Sequence, residues 1–358
     1  MKQRRRLVPT RSPWSTPVIA TVSSIALVMA AAFGGQQVLK TQDSGSGGPI
    51  EVKNASESFS NADSVVVDDP AVAAQGDGEG PRAVKHFHRD ETFNMFAVTW
   101  EGKRDVHSFV RSKQEDGSWS EWFDMDAMNY GDGKNGTELI YVGDTNDVQV
   151  SMANVDLVTG SNLDDDAELP DKAAGAADAN RAASQPSNVG DIAPVADENN
   201  TDRTTVSDLD AVFMDGNAQE GQAIEPTAAT DGMPKVVSRS GWGADESKRC
   251  QQPTYDDGIK AMTLHHTAGS NNYTPAQAAA QVRAAYEYHA QNLGWCDIGY
   301  NVLVDKFGTI YEGRYGGLDK AVQGAHVGGF NSHNWGISMI GNYEIEEPSQ
   351  KMLNSVAE

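Results

Sequence analysis

The chain has 358 residues, of which 28 are lysine or arginine and 51 are aspartate or glutamate, so its formal net charge at pH 7 is −23. Nucleic-acid phosphates repel such an acidic protein, and we expect no nucleic-acid partner. Hydrophobic residues make up only 39% of the sequence, and 35 residues are glycine. This composition predicts about two folded domains together with segments outside any packed core.

The first 40 residues have the pattern of an export signal. A basic start, MKQRRRLVPTR, is followed by an uncharged apolar stretch from Pro17 to Phe33. Such a stretch is typical of a cleavable signal peptide, but its length is also close to that of a membrane-spanning anchor, and both alternatives stay open for residues 1–40. In either case we expect an exported protein, extracellular or associated with the cell wall, that meets a membrane only through this segment. The sequence does not indicate an oligomeric state.

The next part of the chain predicts a spacer and then an all-β domain. Residues 41–81 are rich in Ser, Gly, Asp and Ala, which predicts a disordered spacer. In residues 82–215, alternating apolar residues predict the strands of a sandwich-like accessory domain, with an acidic disordered insertion at about 160–206. The segment LDAVFMDG, 209–216, is predicted to return as the last strand of this domain; the alternative is an apolar patch in a linker.

The C-terminal part combines strand and helix patterns. After a low-complexity linker at 216–234, residues 235–358 predict an α/β domain with a mixed sheet and helices. The segment TPAQAAAQVRAAYEYHAQNLG predicts a helix of about five turns, because Thr274 suits an N-cap, Gln277 completes a capping box and Gly294 follows the end. The segment YNVLVDKFGTIYEGR predicts a hairpin.

Two adjacent histidines, His265 and His266, lie in TLHHTAG, which has the pattern of a strand. Successive side chains of a strand point to opposite faces of the sheet, so these two cannot both serve one site. A histidine in a half-buried strand is either a hydrogen-bonded structural residue or a functional one. The strand pattern alone leaves that choice open.

The only two cysteines are Cys250 and Cys296, and both follow the export signal. In an oxidising compartment we expect them to form a disulfide; two unpaired buried thiols are the alternative. The bond would close a loop of about 46 residues and stabilise the fold by roughly 4 kcal/mol in the chain-entropy model.

Five motifs resemble, in order and spacing, those of the peptidoglycan recognition protein and type-2 N-acetylmuramoyl-L-alanine amidase family: RSGWGADES, LHHTAG, GWCDIGYNVLVDKFGTIYEGR, GAHVGGFNSHNWGISMIGNY and PSQKML. The resemblance covers roughly Val236–Glu358 and points to an exported bacterial member. It implies a zinc-dependent enzyme that cuts the amide between N-acetylmuramic acid and L-alanine, with peptidoglycan as partner. Members that lack the cysteine-type ligand bind muropeptides without catalysis, so a non-catalytic peptidoglycan-binding module is the alternative.

The resemblance also implies roles for individual residues. It maps one zinc ligand onto His265 and a catalytic tyrosine onto Tyr300, whose hydroxyl can hydrogen-bond the metal-bound water or the developing oxyanion. Catalytic zinc needs three protein ligands, and in the family the other two are a histidine and a cysteine or aspartate near the C-terminus. The tail after Tyr343 has no histidine or cysteine, so we expect an amidase domain that lacks its C-terminal end. The candidates for substrate contact are His266, His326, Trp242, Phe330 and Asn331; for the aromatic residues Trp242 and Phe330, a place in the core is the alternative.

Overall fold

The computed structural model describes residues 48–75, 80–128, 133–153, 155, 157, 204–220, 224, 226–228 and 232–358. The predicted signal or anchor at 1–40 and most of the acidic insertion predicted at about 160–206 lie outside these ranges. Within them, no helix is both long and apolar enough to cross a lipid bilayer.

The first domain is a β structure whose strands hydrogen-bond into one nine-stranded sheet. The strands are β1 (Lys53–Ser58), β2 (Asp63–Val67), β3 (Arg82–Glu101), β4 (Ser108–Ser112), β5 (Phe123–Met125), β6 (Ala127–Met128), β7 (Lys134–Thr137), β8 (Ile140–Met152) and β9 (Leu209–Asp215), and a short helix, α1 (Pro70–Ala73), precedes β3. The main order is β1-β9-β3-β8-β4-β5. The long strand β3 also pairs with β2 and β7, so it is the centre of the domain.

Two results correct or confirm the sequence predictions for this domain. The spacer predicted at 41–81 is wrong in part, because β1, β2 and α1 lie in it. Strand β1 pairs with β9 over its whole length, from Lys53 opposite Asp215 to Ser58 opposite Asp210. Main-chain hydrogen bonds to β9 hold β1 in the sheet. Because β1 has no apolar face, its polar sequence does not show the alternation that predicts a strand. The strand predicted from LDAVFMDG is confirmed as β9, which lies between β1 and β3.

The second domain has a mixed six-stranded sheet with helices, as predicted. Its elements are β10 (Thr227–Ala228), β11 (Lys235–Val237), β12 (Ala261–His266), α2 (Pro275–Glu287), β13 (Val302–Val304), β14 (Ile310–Glu312), β15 (Asn334–Met339) and α3 (Gln350–Ala357). The strand order is β10-β11-β14-β13-β15-β12. Strands β13 and β14 form the predicted antiparallel hairpin, and β12 lies at the edge, parallel to β15. Strand β10 falls in the stretch predicted as a linker.

Helix α2 begins as predicted and ends differently. The Thr274 hydroxyl accepts the N–H of Gln277, and the Gln277 side chain accepts the N–H of Thr274, which completes the capping box. The α-helical hydrogen bonding stops at Glu287, and a π-helical turn continues from Tyr288 to Asn292. A regular α-helix was predicted here. The π-helical turn begins at Tyr288, whose large side chain is buried. Such turns are frequent near functional sites.

The predicted disulfide is confirmed. Cys250 and Cys296 are bonded, 46 positions apart in the sequence. The bond joins the segment before β12 to the loop after the π-helical turn, and the N–H of Cys250 also donates to the carbonyl of Cys296. It therefore anchors the loop that leads to Tyr300.

The two domains share one hydrophobic core. Buried side chains of the first domain pack in one cluster with those of helix α2 and of the second sheet; the members from the first domain are Met95, Ala97, Met128, Leu139, Tyr141, Val212 and Met214. Arg283 of α2 is buried and donates to the carbonyls of Gly216 and Asn217, just after β9. An interface of this kind resembles the interior of one domain more than a loose contact between modules.

The connection between β7 and β8 lies against the second domain. We call residues Thr137–Tyr141 the contact segment. At one end, the Tyr288 hydroxyl donates to the carbonyl of Thr137 at 2.9 Å. At the other end, the N–H of Ser270 donates to the carbonyl of Tyr141 at 2.8 Å. The segment is thus held to the second domain at both ends.

We predict that Gly136→Ala destabilises this contact. A Cβ at Gly136 would overlap the Tyr288 hydroxyl and the carbonyl oxygen of Val98, and such overpacking typically costs about 1–3 kcal/mol. The matched control is Gly133→Ala, because a Cβ there would meet nothing within 4 Å. Denaturant unfolding should give a lower midpoint for Gly136→Ala only. Equal midpoints for the two variants would contradict the close packing.

Candidate functional site

Strand β12 presents its two histidines to opposite faces, as the alternation predicts. The His265 ring lies next to Tyr300, with ring centroids 5.4 Å apart. The Nδ1 atom of His266 instead accepts the N–H of Tyr343 at 3.1 Å. His265 is therefore the histidine that contacts Tyr300, and both histidines line one open cavity.

His265 has a second histidine as neighbour. Its Nε2 atom lies 3.0 Å from Nδ1 of His326, which is only 4% exposed. The side-chain oxygen of Asn331 accepts the N–H groups of His326 and Val327 and so fixes the loop that carries His326. Burial, together with the charges of His326 and His266, lowers the pKa of His265 to about 4. At neutral pH His265 is therefore uncharged, which is the form that binds metals.

Tyr300 is held in place by main-chain contacts on both sides. Its carbonyl accepts the N–H of Arg314 at 2.8 Å. The N–H of the preceding Gly299 donates to Nδ1 of His289, a buried residue of the π-helical turn. The Tyr300 side chain is 4% exposed, and its hydroxyl lies 3.2 Å from each carboxylate oxygen of Glu138. The phenol is thus directed at a carboxylate of the other domain.

Glu138 was not predicted as a site residue. It belongs to the contact segment, and its own N–H donates to the carbonyl of Asp126 at 2.9 Å. Burial raises the pKa of Glu138 to about 7, the charge of Asp126 adds to the shift, and the hydrogen bond from Tyr300 opposes it. In the sequence, a single glutamate in GTELIYVG has no feature that separates it from a solvent-facing residue, because its partner comes from another domain.

An open cavity of about 340 Å³ lies beside His265. Both domains line it, and its acidic residues are Asp126 and Glu138 from the first domain and Glu344 from the second; neither lysine nor arginine is among the described lining residues. Because the lining is acidic, it favours neutral or cationic groups of a ligand over anionic ones.

The predicted substrate-contact residues fall into different environments. Trp242 is fully buried, its indole N–H donates to the carbonyl of Glu312 and its ring packs on Tyr286, which favours the alternative of a core residue. The motif that contains Trp242 does not show whether its ring packs in the core or lines a binding groove. Phe330 is 67% exposed, so it is free to pack on a ligand, and its role stays a prediction.

The donor set for a metal is incomplete in the described part of the chain. No group of three or more His, Cys, Asp or Glu side chains is arranged there to hold a metal ion. His265 offers one imidazole, whereas Cys250 and Cys296 are occupied in their disulfide. The described residues therefore do not fit the three-ligand set of a catalytic zinc.

The shifted pKa of Glu138 predicts how Glu138→Gln changes stability with pH. Glu138 binds a proton more tightly in the native state than in the unfolded state, where its pKa is near 4.5. Protonation of Glu138 therefore stabilises the fold fully below pH 4.5, and this stabilisation is lost as the pH rises through 7. The variant should gain stability relative to wild type over this range, by on the order of 2 kcal/mol. Chemical unfolding at pH 4 and pH 8 measures the difference, with Glu115→Gln, in an exposed turn, as the matched control. The same variant-minus-wild-type difference at both pH values would contradict the burial of this carboxylate.

Two family models match the chain. The model described as Rv3811 N-terminal galactose-binding domain-like matches residues 54–188, and that described as N-acetylmuramoyl-L-alanine amidase matches residues 255–358. The first match overlaps the first domain and the second match covers β12 to α3. The division into a β domain and an amidase-type domain is thus found independently of the hydrogen-bonded sheets.

Individual proteins match about a third of the chain. Peptidoglycan recognition protein 1 of Bos indicus is 40% identical over 124 residues, which are 34% of this chain and 60% of that protein. Peptidoglycan-recognition protein 2 of Holotrichia diomphalia is 33% identical over 133 residues, 37% of this chain and 68% of that protein. The solved structure of Drosophila PGRP-LB has 29% identity and a TM-score of 0.31, covering 34% of this chain and 69% of that one. The chain thus spans about 60% of the length of the first of these relatives, and it belongs to the family of peptidoglycan recognition proteins and type-2 N-acetylmuramoyl-L-alanine amidases.

Proposed function

We propose that the second domain binds the muramyl-peptide part of peptidoglycan and hydrolyses the amide between N-acetylmuramic acid and L-alanine. The observation that carries this proposal is the contact between Tyr300 and His265, whose ring centroids lie 5.4 Å apart, with His265 lining an open cavity. These are the two positions to which the family resemblance assigns a metal ligand and a catalytic hydroxyl. They come from a strand and a loop that are distant in sequence.

Amide hydrolysis needs a polarised carbonyl, an activated water and stabilisation of the oxyanion. A zinc ion, when bound, would supply the Lewis acid and the activated water. The neutral imidazole of His265 would be one of its ligands, and the described residues do not supply the other two. Tyr300 provides the phenol oxygen that can accept a hydrogen bond from the attacking water.

The cavity suits an uncharged or cationic part of a muropeptide. Its acidic lining, Asp126, Glu138 and Glu344, repels carboxylates. Phe330, which is 67% exposed on the loop after His326, offers an aromatic face on which a sugar or peptide can pack. Recognition would then depend on packing and hydrogen bonds rather than on attraction between opposite charges.

Binding without hydrolysis is the second candidate function. It is favoured by one observation, the lack of a three-ligand group among the described residues. Both functions place the protein outside the cytoplasm, and the disulfide between Cys250 and Cys296 supports an oxidising compartment. The measurement that separates the two functions is the zinc content of the purified protein together with the release of stem peptides from peptidoglycan.

In a full-length version that supplies the remaining ligands, His265→Ala is expected to remove bound zinc and to abolish peptide release, because it removes a ligand. The matched control is His88→Asn, which changes a mostly exposed histidine of the first domain that does not line the cavity. Metal analysis after dialysis and chromatography of released peptides give the two readouts. Stoichiometric zinc in His265→Ala would sink the ligand assignment, and wild-type protein that binds muropeptides without zinc or turnover would favour the binding module.

Tyr300→Phe is expected to lower kcat by about 10²-fold, since loss of a group that positions the attacking water typically has an effect of this size. Zinc content should stay unchanged because the hydroxyl is not a ligand. Tyr255→Phe is the control, because the hydroxyl of this half-exposed tyrosine donates only to the carbonyl of Gly316 among the described residues. Steady-state kinetics on a soluble muramyl tripeptide measures both variants. Wild-type kcat in Tyr300→Phe would remove this residue from the mechanism.

A further inference from the structure

We infer that the first domain completes the candidate active site, and that Glu138 is a positioning residue for the Tyr300 hydroxyl. The inference rests on the proposed function, because it adds a residue to the same site. On this inference, the β domain contributes a residue to the active site of the second domain. The carboxylate of Glu138 accepts a hydrogen bond from the Tyr300 hydroxyl and holds the phenol oxygen where it can accept a hydrogen bond from an attacking water.

The contact geometry supports this assignment. Both carboxylate oxygens of Glu138 lie 3.2 Å from the Tyr300 oxygen, so the phenol O–H is directed between them. In the ranges that the structure describes, Tyr300 is the side-chain hydrogen-bond partner of this carboxylate. The same carboxylate lines the open cavity together with His265. Glu138 thus connects the buried tyrosine to the space where a substrate would lie.

A neighbouring polar group supports a built site. The amide nitrogen and oxygen of Gln281, a residue of α2 that is 4% exposed, have no hydrogen-bond partner among the described residues. Gln281 lines a small internal cavity together with Glu138, Tyr300 and His289. Buried polar atoms without protein partners are normally satisfied by ordered water. The region behind Tyr300 is therefore suited to hold a water beside the carboxylate.

The position of Glu138 is rigid. The contact segment is tied to the second domain at Thr137 and at Tyr141. Between them Leu139 is 4% exposed and belongs to the core that the two domains share. Withdrawal of Glu138 would expose these apolar side chains. The contact segment is therefore a fixed part of the site rather than an inhibitory segment that moves out of it. If it were an inhibitory plug, removal of the Glu138 side chain would raise turnover.

The test is a double-mutant cycle on the full chain with Glu138→Gln, Glu138→Ala, Tyr300→Phe and the combinations. Turnover and binding are measured on a soluble muramyl tripeptide, the binding by calorimetry without added metal. Glu115→Gln is the control for loss of one acidic residue from the first domain. Thermal unfolding of every variant excludes loss of fold, and the isosteric Glu138→Gln serves if Glu138→Ala does not fold.

We expect each Glu138 variant to lower kcat on the order of tenfold or more, as loss of a residue that orients a catalytic group typically does, with little change in KM. In the Tyr300→Phe background the same substitutions should have no further effect, because Glu138 acts through that hydroxyl. Losses that multiply in the combined variants, wild-type turnover in Glu138→Gln, or a gain of turnover would each overturn the inference.

The binding measurement separates failure of this inference from failure of the proposed hydrolysis. If wild-type protein binds the tripeptide and does not cleave it, hydrolysis fails, and the cycle is evaluated on the dissociation constant: non-additive losses support the Glu138–Tyr300 unit and additive losses overturn it. If wild-type protein neither binds nor cleaves, both proposals fall.

Discussion

The candidate site depends on the burial of apolar side chains between the two domains. Leu139 and Tyr141 enter the shared core, and they flank Glu138 in the chain. Burying one leucine side chain contributes about 1.5–3 kcal/mol, whereas taking a carboxylate out of water is unfavourable unless it is hydrogen-bonded. The apolar neighbours, together with the Tyr300 hydroxyl, offset that cost. The same packing that joins the domains therefore brings an acidic group to the phenol of the other domain.

Features with local causes could be predicted from the sequence. The capping box at Thr274 depends on residues three positions apart, and the opposite faces of His265 and His266 follow from the geometry of any strand. The disulfide between Cys250 and Cys296 follows from the number of cysteines and the expected compartment. In each case the residues that produce the feature can be identified from their type and spacing in the sequence.

Features with distant causes could not be predicted. Strand β1 has an exposed, polar composition, and only the presence of β9 beside it makes it a strand. The burial of Trp242 depends on how Tyr286 and the carbonyl of Glu312 surround it. Glu138 meets Tyr300 across a domain interface, and no spacing along the chain encodes that meeting. These are properties of tertiary packing, which overrides local composition.

The charge of the molecule restricts how a peptidoglycan ligand could be recognised. The chain carries a net charge of −23, and the cavity beside His265 is itself acidic. Muramyl peptides bear carboxylates, so attraction over long distances would not guide them to the site, and screening limits repulsion to about 8 Å at physiological salt. Affinity must then come from short-range contacts with sugar and peptide groups. An exposed aromatic ring such as Phe330 and a rigid two-domain wall around Tyr300 meet that requirement, because both lose little freedom when a ligand binds.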